Sequence, residues 1–409
     1  MLTVSKNGAV QFLIKKQGLD RRQSALSGSE AVAAMVKMLE IVQLDPVLTV
    51  DRNHHLVLYN RLSGFQSQWL EEAVANRLLL DYIFTNRCFI PMHEYPWFAP
   101  LMRARECQQS EQLAKVGEAA AYVLRTLAEK GPQTSRQIEF DQARDRVQGY
   151  WDQYPKTKAS TLALHILWEC GRVIAAARPK GEIVFDLPER AIPEDLRKAG
   201  QDISIREAVE YRRRKYYRAL RLIDANHQFF GWSNMKAAER LELIEKDVQA
   251  GILIPVTIKD VRRKYWILAE DADELVACET AAANRGKNSS AGRGGGDGKS
   301  NRGVRILSPL DNFLWRRERL QDLLDFDYTW EIYIPEHKRK YGPYTMPILA
   351  DERLVGRIDL KYDRPASTLL VNLLAWEPWL GQTARRKLQS GLNAELENLC
   401  QYLGATNIR

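Results

Sequence analysis

The chain has 409 residues, and this length predicts two to four domains rather than one small core. Hydrophobic residues make up 45% and charged residues 27%, which is typical of a globular protein. No apolar run reaches the roughly 18 residues that a transmembrane helix needs, and residues 1–20 do not resemble a signal peptide. The net charge of +8 is compatible with nucleic-acid binding, but a case for DNA must rest on local clusters.

The cysteines and histidines do not form the patterns of a metal site. The five cysteines are widely spaced and never form C-x-x-C, which favours a reduced, cytoplasmic setting without disulfides. The adjacent histidines His54 and His55 are poor chelators, because neighbours on a helix face different ways. Residues 298–300, G-K-S, resemble the end of a phosphate-binding loop, but Arg293 stands where its first glycine belongs. We therefore expect no metal and no nucleotide cofactor.

The first 283 residues show one order of elements three times, namely helices followed by two short strands. This order is that of a winged helix, a helix-turn-helix variant that binds DNA. In residues 1–110 the predicted helices are 6–17 and 30–40, and the predicted strands are 78–84 and 87–91. In residues 111–200 the helices are 116–130, a short one capped by Ser135, and 158–170, and the strands are 173–177 and 183–187. In residues 201–283 the helices are 205–224 and 236–250, and the strands are 252–256 and 265–268.

The remainder of the chain is a linker and one further domain. Residues 284–303 are rich in glycine, serine and asparagine and predict a flexible linker, since they cannot bury apolar area. In residues 304–409 a predicted helix, 384–403, follows four predicted strands, 328–334, 345–349, 355–360 and 368–374. We expect an α+β protein in which tandem winged helices precede a small C-terminal β-barrel with a terminal helix.

The segment V-Q-L-D-P, residues 42–46, is the strongest candidate for chemistry. Pro46 disfavours a helical conformation at Asp45, so the segment should be extended, with Gln43 and Asp45 on one face. A carboxylate beside an amide can hold and polarise one water molecule. The alternative is that Asp45 only caps the following turn while Gln43 lies at the surface.

Several basic clusters are candidates for contacts with DNA phosphates. Their alternative is a solvated face paired with acids, such as Glu207 and Glu210 beside the run 211–218. The candidates are His54 and His55, Arg178 and Lys180 at a hairpin tip, Arg212, Arg213 and Arg214, Arg262 and Arg263 at a second hairpin, and Lys338, Arg339, Lys340 and Tyr341.

These residues resemble the AlkZ/YcaQ-type winged-helix DNA glycosylases over nearly the whole chain, with 284–303 as an insertion. The resemblance is carried by short motifs along the sequence. They are V-Q-L-D at 42–45, H-H-L at 54–56, G-Y-W at 149–151, G-R-V at 171–173, L-S-P-L-D-N-F-L-W-R-R-E-R at 307–319, H-K-R-K-Y-G-P-Y at 337–344 and V-G-R-I-D-L-K at 355–361.

The resemblance implies a clamp of winged helices and a β-barrel around duplex DNA, which excises purines alkylated at the seven position and in some members unhooks interstrand crosslinks. The family motif, glutamine, an aliphatic residue, then glutamine or aspartate, falls on Gln43, Leu44 and Asp45, which indicates the Gln-x-Asp branch. A seven-alkylated purine is cationic and departs as a neutral nucleobase without a general acid. Asp45 can then supply negative charge to the oxocarbenium-like sugar and act as general base, while Gln43 orients the water.

Two other functions stay open at this point. A winged-helix transcriptional regulator without catalysis would use Asp45 and Gln43 only for capping and packing, and would normally dimerise. A ligand sensor built on the barrel would leave the basic clusters unexplained. We expect a monomeric glycosylase that acts on duplex DNA, has no association with membranes and occupies the cytoplasm or nucleoid.

Overall fold

A computed structural model describes residues 2–140, 146–147, 157–227, 229–290 and 303–409. The motif G-Y-W at 149–151 lies outside this part of the chain. The fold is mixed α+β, as expected. No helix of the described residues is long and apolar enough to cross a membrane.

The helices are given in chain order. They are α1 (Lys6–Lys16), α2 (Gly28–Leu39), α3 (Asn53–Tyr59), α4 (Ser67–Ala75), α5 (Tyr95–Gln108), α6 (Ser110–Lys115), α7 (Gly117–Lys130), α8 (Ala159–Glu169), α9 (Pro188–Ala191), α10 (Glu194–Asp202), α11 (Ile205–Leu220), α12 (Ala237–Gln249), α13 (Ala272–Ser290), α14 (Arg317–Leu324) and α15 (Gln382–Leu403).

The strands are mostly short and join in hairpins. They are β1 (Leu2–Val4), β2 (Val42–Gln43), β3 (Leu79–Ile83), β4 (Arg87–Pro91), β5 (Gln133–Thr134), β6 (Arg146–Val147), β7 (Thr157–Lys158), β8 (Ile174–Ala177), β9 (Val184–Asp186), β10 (Leu253–Ile258), β11 (Tyr265–Leu268), β12 (Val304–Ile306), β13 (Thr345–Ala350), β14 (Arg353–Asp363), β15 (Thr368–Trp376) and β16 (Asn407–Ile408).

The described chain packs into two compact units, and the predicted segment 1–110 contributes to both. One unit contains residues 1–26, 42–66 and 215–409, and the other contains residues 27–41 and 67–214. The expected division at residues 110, 200, 283 and 303 stays a prediction.

The unit formed by 27–41 and 67–214 contains two of the predicted hairpins. Strands β3 and β4 pair antiparallel, and β8 pairs with β9, which also pairs with β5. Helix α7 ends at Gly131, whose φ of 77° suits glycine, directly before Pro132 as the sequence predicts. The short helix expected after Ser135 is absent from the described residues, because the chain there has just left the pairing of β5 with β9 and forms a turn.

The unit formed by 1–26, 42–66 and 215–409 joins distant parts of the chain. Strand β1 pairs parallel with β10 of the third predicted hairpin, so the beginning of the chain completes that sheet. Helix α1, capped by the Ser5 hydroxyl, packs on α13 and α14. Buried side chains from all of these elements form one hydrophobic core, which includes Phe12, Ile267, Leu275 and Phe313.

Strands β12 to β16 form the C-terminal sheet, in sequence order. Strands β13, β14 and β15 and helix α15 confirm four predicted elements. The predicted strand at 328–334 is wrong, because Glu331–Tyr333 form a 3-10 turn. The buried Glu331 carboxylate accepts hydrogen bonds from the backbone N–H groups of Tyr341 and Gly342 and stabilises this turn. The sheet is an open half-barrel and not a closed barrel, since among the described strands β12 and β16 each pair on one side only.

The predicted linker begins too early. Helix α13 continues through Asn284 to Ser290, because its preceding turns pack on α1 and elongating a packed helix costs little. Residues 291–302 lie outside the described part of the chain.

Candidate active site

Gln43 and Asp45 belong to an extended segment that enters the site from β2. Leu44 is buried, whereas Gln43 and Asp45 on either side of it are half-buried. This alternation agrees with the prediction that the carboxylate and the amide share one face.

Asn53, the first residue of α3, fixes the backbone of this segment. Its side-chain amide donates to the Gln43 carbonyl over 2.7 Å, and its carbonyl accepts from the Ser308 hydroxyl over 2.8 Å. Asn53 and Ser308 are both buried. The position of Gln43 therefore depends on Ser308, which follows β12 more than 260 residues later in the chain.

The Asp45 carboxylate is anchored by backbone alone. Its Oδ1 accepts from the Val47 N–H over 2.9 Å, which is the turn-capping contact of the alternative interpretation. Burial raises the pKa of Asp45, and the Val47 hydrogen bond opposes this only partly. No described cation pairs with Asp45, so its negative charge is available to a cationic group that approaches it.

A second carboxylate, that of Asp51, lies in the same loop and is fully engaged. His55 Nδ1 lies 3.1 Å from both of its oxygens, and the Tyr402 hydroxyl donates to Oδ2 over 2.7 Å. Burial by itself would raise the pKa of Asp51, but the hydrogen bonds of His55 and Tyr402 outweigh it and lower the pKa. Asp51 therefore supports the loop, whereas Asp45 has capacity left for a reaction.

Tyr344 lies against the loop that carries the two carboxylates. Its hydroxyl lies 3.5 Å from the Asp51 carbonyl. Burial, together with the negative charges of Asp45 and Asp51, raises the pKa of Tyr344 well above its ordinary value. The phenol thus keeps its proton at neutral pH and can donate it in a hydrogen bond to the Asp51 carbonyl.

The loop that carries Tyr344 requires the glycine of its K-Y-G-P-Y motif. Gly342 has a φ of 115°, and a Cβ at this position would lie 2.5 Å from Oδ2 of Asp359. The other oxygen of Asp359 accepts from the Tyr344 N–H over 3.0 Å. The motif therefore positions the Tyr344 phenol. The sequence-based prediction concerned only the basic residues and Tyr341 of the motif and did not include this role.

His54 and His55 are buried in α3, with exposed fractions of 3% and 8%. Their rings meet edge to face at 4.6 Å, and His55 holds Asp51. These positions do not favour a phosphate contact, and the interpretation of both histidines as DNA contacts stays a prediction.

In the unit that contains α8, the predicted basic residues differ in accessibility. Lys180 is exposed at the tip between β8 and β9, whereas Arg178 pairs with the buried Asp81 over 3.1 Å. Arg214 is exposed and pairs with Glu210, while Arg212 and Arg213 are half-buried. Burial, aided by Arg105, lowers the pKa of Arg212 to about 10.

In the other unit, Arg262, Lys338 and Lys340 are exposed, and Arg339 and Tyr341 are half-buried. Arg263 is half-buried and pairs with Asp322 over 2.7 Å. Among the described residues, no three His, Cys, Asp or Glu side chains are grouped so that they could hold a metal ion.

Sequence reasoning missed several residues that build the site, among them Asn53, Ser308, Tyr344 and Tyr402. Asn53 directly precedes the H-H-L motif, and Ser308 and Tyr344 lie in two quoted motifs, so only their roles were hidden. Tyr402 had no signal, because nothing in the sequence of α15 indicates which residue faces Asp51.

The structure is similar to that of Streptomyces sahachiroi DNA glycosylase AlkZ, with a TM-score of 0.60 and 14% sequence identity over 100% of both chains, which shows a shared fold. The family model described as DNA glycosylase AlkZ-like matches residues 36–402, which include Gln43, Asp45 and strands β12 to β15 of the C-terminal sheet. The chain belongs to the AlkZ-like DNA glycosylase family. This membership favours the enzyme over the regulator and the ligand sensor.

Proposed function

We propose that this glycosylase hydrolyses the N-glycosidic bond of seven-alkylated purines in duplex DNA, with Asp45 and Gln43 in the chemical step. One observation carries the proposal. Asp45 is a half-buried carboxylate that is anchored through one oxygen and neutralised by no described cation. The placement of Gln43 beside it, through Asn53 and Ser308, supports the same role.

The reaction needs no general acid. The alkylated purine carries a positive charge. When the bond between its N9 and the sugar C1′ breaks, N9 keeps both bonding electrons, so the base leaves as a neutral molecule. The sugar becomes oxocarbenium-like, and the Asp45 charge stabilises it. Water then bonds to C1′ and transfers a proton to Asp45, while Gln43 orients the water. Sugar hydrolases differ, because they must protonate a neutral leaving oxygen.

We also propose that crosslinks formed through the same purine position are substrates, since the leaving base is again cationic. Exposed cations would bind the phosphates, namely Lys180 and Arg262 at the predicted wings and Lys338 and Lys340 in the C-terminal domain. The enzyme would act as a monomer. It would need no cofactor, because hydrolysis of a cationic nucleoside requires only water and a general base.

Single-turnover release of 7-methylguanine from methylated duplex DNA tests the proposal. Asp45→Asn keeps the shape and the Val47 contact but removes the charge and the basic lone pair, so release should slow by roughly 100- to 10,000-fold. Gln43→Ala should cost less, since a water can partly replace the amide.

Asp325→Asn is the matched control, because it makes the same chemical change at an exposed carboxylate that pairs with Lys6. It should release base at the wild-type rate, and none of these variants should bind undamaged duplex more than a few-fold more weakly. If Asp45→Asn were as fast as wild type, Asp45 would not be the base. If binding and release fell together, the turn-capping interpretation would hold. A wild-type enzyme that released no 7-methylguanine would contradict the substrate class.

A further inference from the structure

Tyr333 is the most exposed large hydrophobic residue among those described, with an exposed fraction of 80%. Its ring contacts Trp330 edge to face at a centroid distance of 5.6 Å. It stands in the loop 330–341, at the position where the sequence predicted a strand. Tyrosine is enriched at binding interfaces, because its ring offers a large apolar face and its hydroxyl stays hydrated.

The loop is held rigid by a single buried carboxylate. Glu331, 6% exposed, accepts from the backbone N–H groups of Lys340, Tyr341 and Gly342 over 3.1, 2.8 and 3.0 Å. The Arg339 guanidinium closes the loop further by donating to the Ile334 carbonyl over 2.8 Å. Tyr333 is therefore presented on an ordered support, which lowers the entropy lost when it binds.

The charge around Tyr333 is positive. Lys338 and Lys340 are exposed in the same loop, and Arg339 is half-buried. Glu336 is the exposed acid of the loop, and the charge of Glu331 is directed inward onto the backbone N–H groups. This surface suits a polyanion.

The same loop leads directly to the candidate site. Trp330, which supports Tyr333, also contacts Tyr344 at a centroid distance of 6.3 Å, and Tyr344 lies beside Asp51. Two ring contacts therefore connect the exposed tyrosine to the phenol that lies beside the Asp51 carbonyl.

We propose that Tyr333 stacks on a nucleobase of the duplex close to the damaged nucleotide, while Lys338 and Lys340 bind the adjoining phosphates. An aromatic ring flanked by cations is the arrangement that proteins use to bind bases and backbone together. A glycosylase must also expose the glycosidic bond of a stacked nucleotide, and an inserted side chain lowers the cost of disturbing the stack. The inference rests on the action on DNA and adds a specific contact to it.

The test is the affinity of the full chain for a duplex with one stable abasic-site analogue, measured for wild type, Tyr333→Ala and Tyr333→Phe. Loss of one stacked base should weaken binding roughly 5- to 150-fold in Tyr333→Ala. Tyr333→Phe keeps the ring and should stay within about two-fold of wild type. The slope of log affinity on log salt should not change, since no charge is removed.

Trp379→Ala is the control, because Trp379 is a partly exposed aromatic (43%) outside the loop and the predicted DNA clusters. It should bind like wild type. Equal affinity of Tyr333→Ala and wild type would overturn the proposal and leave the ring to a partner other than DNA. Equal losses in Tyr333→Phe and Tyr333→Ala would also overturn it, since the hydroxyl and not the ring would then matter. The assay involves no excision, so its failure is distinct from a failure to release 7-methylguanine.

Discussion

Asp45 and Asp51 lie six residues apart, and their pKa values shift in opposite directions although burial raises both. Asp51 gains hydrogen bonds from His55 and Tyr402 that favour its charged form, whereas Asp45 gains one backbone N–H. The pKa of Asp51 is therefore lowered and that of Asp45 is raised. At the scale of single residues, the chain stabilises one carboxylate and leaves the other costly to ionise.

We predict that Asp51→Asn and Asp45→Asn change the stability of the fold in opposite directions at pH 7. The charged form of Asp51 stabilises the fold above its unfolded pKa, so Asp51→Asn should lose about 1.5–3 kcal/mol. This loss should vanish as the pH falls through the lowered pKa of Asp51.

Ionisation of Asp45 opposes folding, so Asp45→Asn should be more stable than wild type, and the gain should shrink as the pH falls through the raised pKa. Urea unfolding between pH 7 and the acid limit measures both effects. If Asp45→Asn were less stable than wild type at pH 7, ionisation of Asp45 would not oppose folding.

Asn53 is predicted to act through Gln43. Asn53→Asp replaces the donor to the Gln43 carbonyl with an oxygen, so two acceptors would face each other. Release of 7-methylguanine should slow by at least tenfold, and the free energy of unfolding should fall by about 1–3 kcal/mol. Affinity for undamaged duplex should stay within a few-fold of wild type, which distinguishes positioning from general damage.

The control is Asn393→Asp on the exposed face of α15, where the amide contacts only Gln389. It should match wild type in both assays. A base-release rate unaffected by Asn53→Asp would show that the Gln43 backbone needs no anchor.

At the scale of elements, the segment directly after helix α3 is joined to the segment after β12 by a fully buried ion pair. Arg61 binds both oxygens of Asp311 over 2.7 and 2.8 Å, and neither side chain is exposed. The guanidinium also donates to the carbonyls of Gln17 and Val57. The pair therefore holds the segment that follows α3 against the segment that follows β12.

We predict that Arg61→Leu costs about 3–5 kcal/mol, because it leaves the Asp311 carboxylate buried without a partner. The double variant Arg61→Leu, Asp311→Leu should recover part of this loss. Denaturant unfolding of both single variants and the double variant gives the coupling energy. Additive losses would mean that the two residues do not stabilise each other.

At the scale of the whole molecule, accessible cations should set the salt dependence of DNA binding. If six to ten phosphates are contacted, the log–log slope should be roughly −5 to −9. Lys338→Gln with Lys340→Gln should make it shallower by about two units, because both lysines are exposed.

A double variant of Lys198→Gln and Lys246→Gln is the control, since each of these exposed lysines already pairs with a glutamate on its own helix. Its slope should equal that of wild type. If the slope changed as much in the control as in the Lys338 and Lys340 double variant, the loop that carries Lys338 and Lys340 would be an ordinary solvated surface.

The sequence by itself determined many of the local elements and predicted candidate residues for the chemistry. Helices such as α7 and α15 and hairpins such as β3–β4 and β10–β11 follow from apolar spacing and from stops such as Gly131-Pro132, which act within a few residues. Gln43 and Asp45 were found because Pro46 and a polar pair next to an aliphatic residue are visible in five letters.

Only the tertiary structure decided what those residues contact. The sequence could not show that Asn53 and Ser308 hold Gln43, that Tyr344 lies beside the Asp51 carbonyl, or that Glu331 holds a loop presenting Tyr333 where a strand was predicted. It also could not show that α13 passes Asn284, because packing on α1 outweighs the local composition. Each of these outcomes depends on groups far apart in the chain, and burial energies between such groups are absent from any local window of sequence.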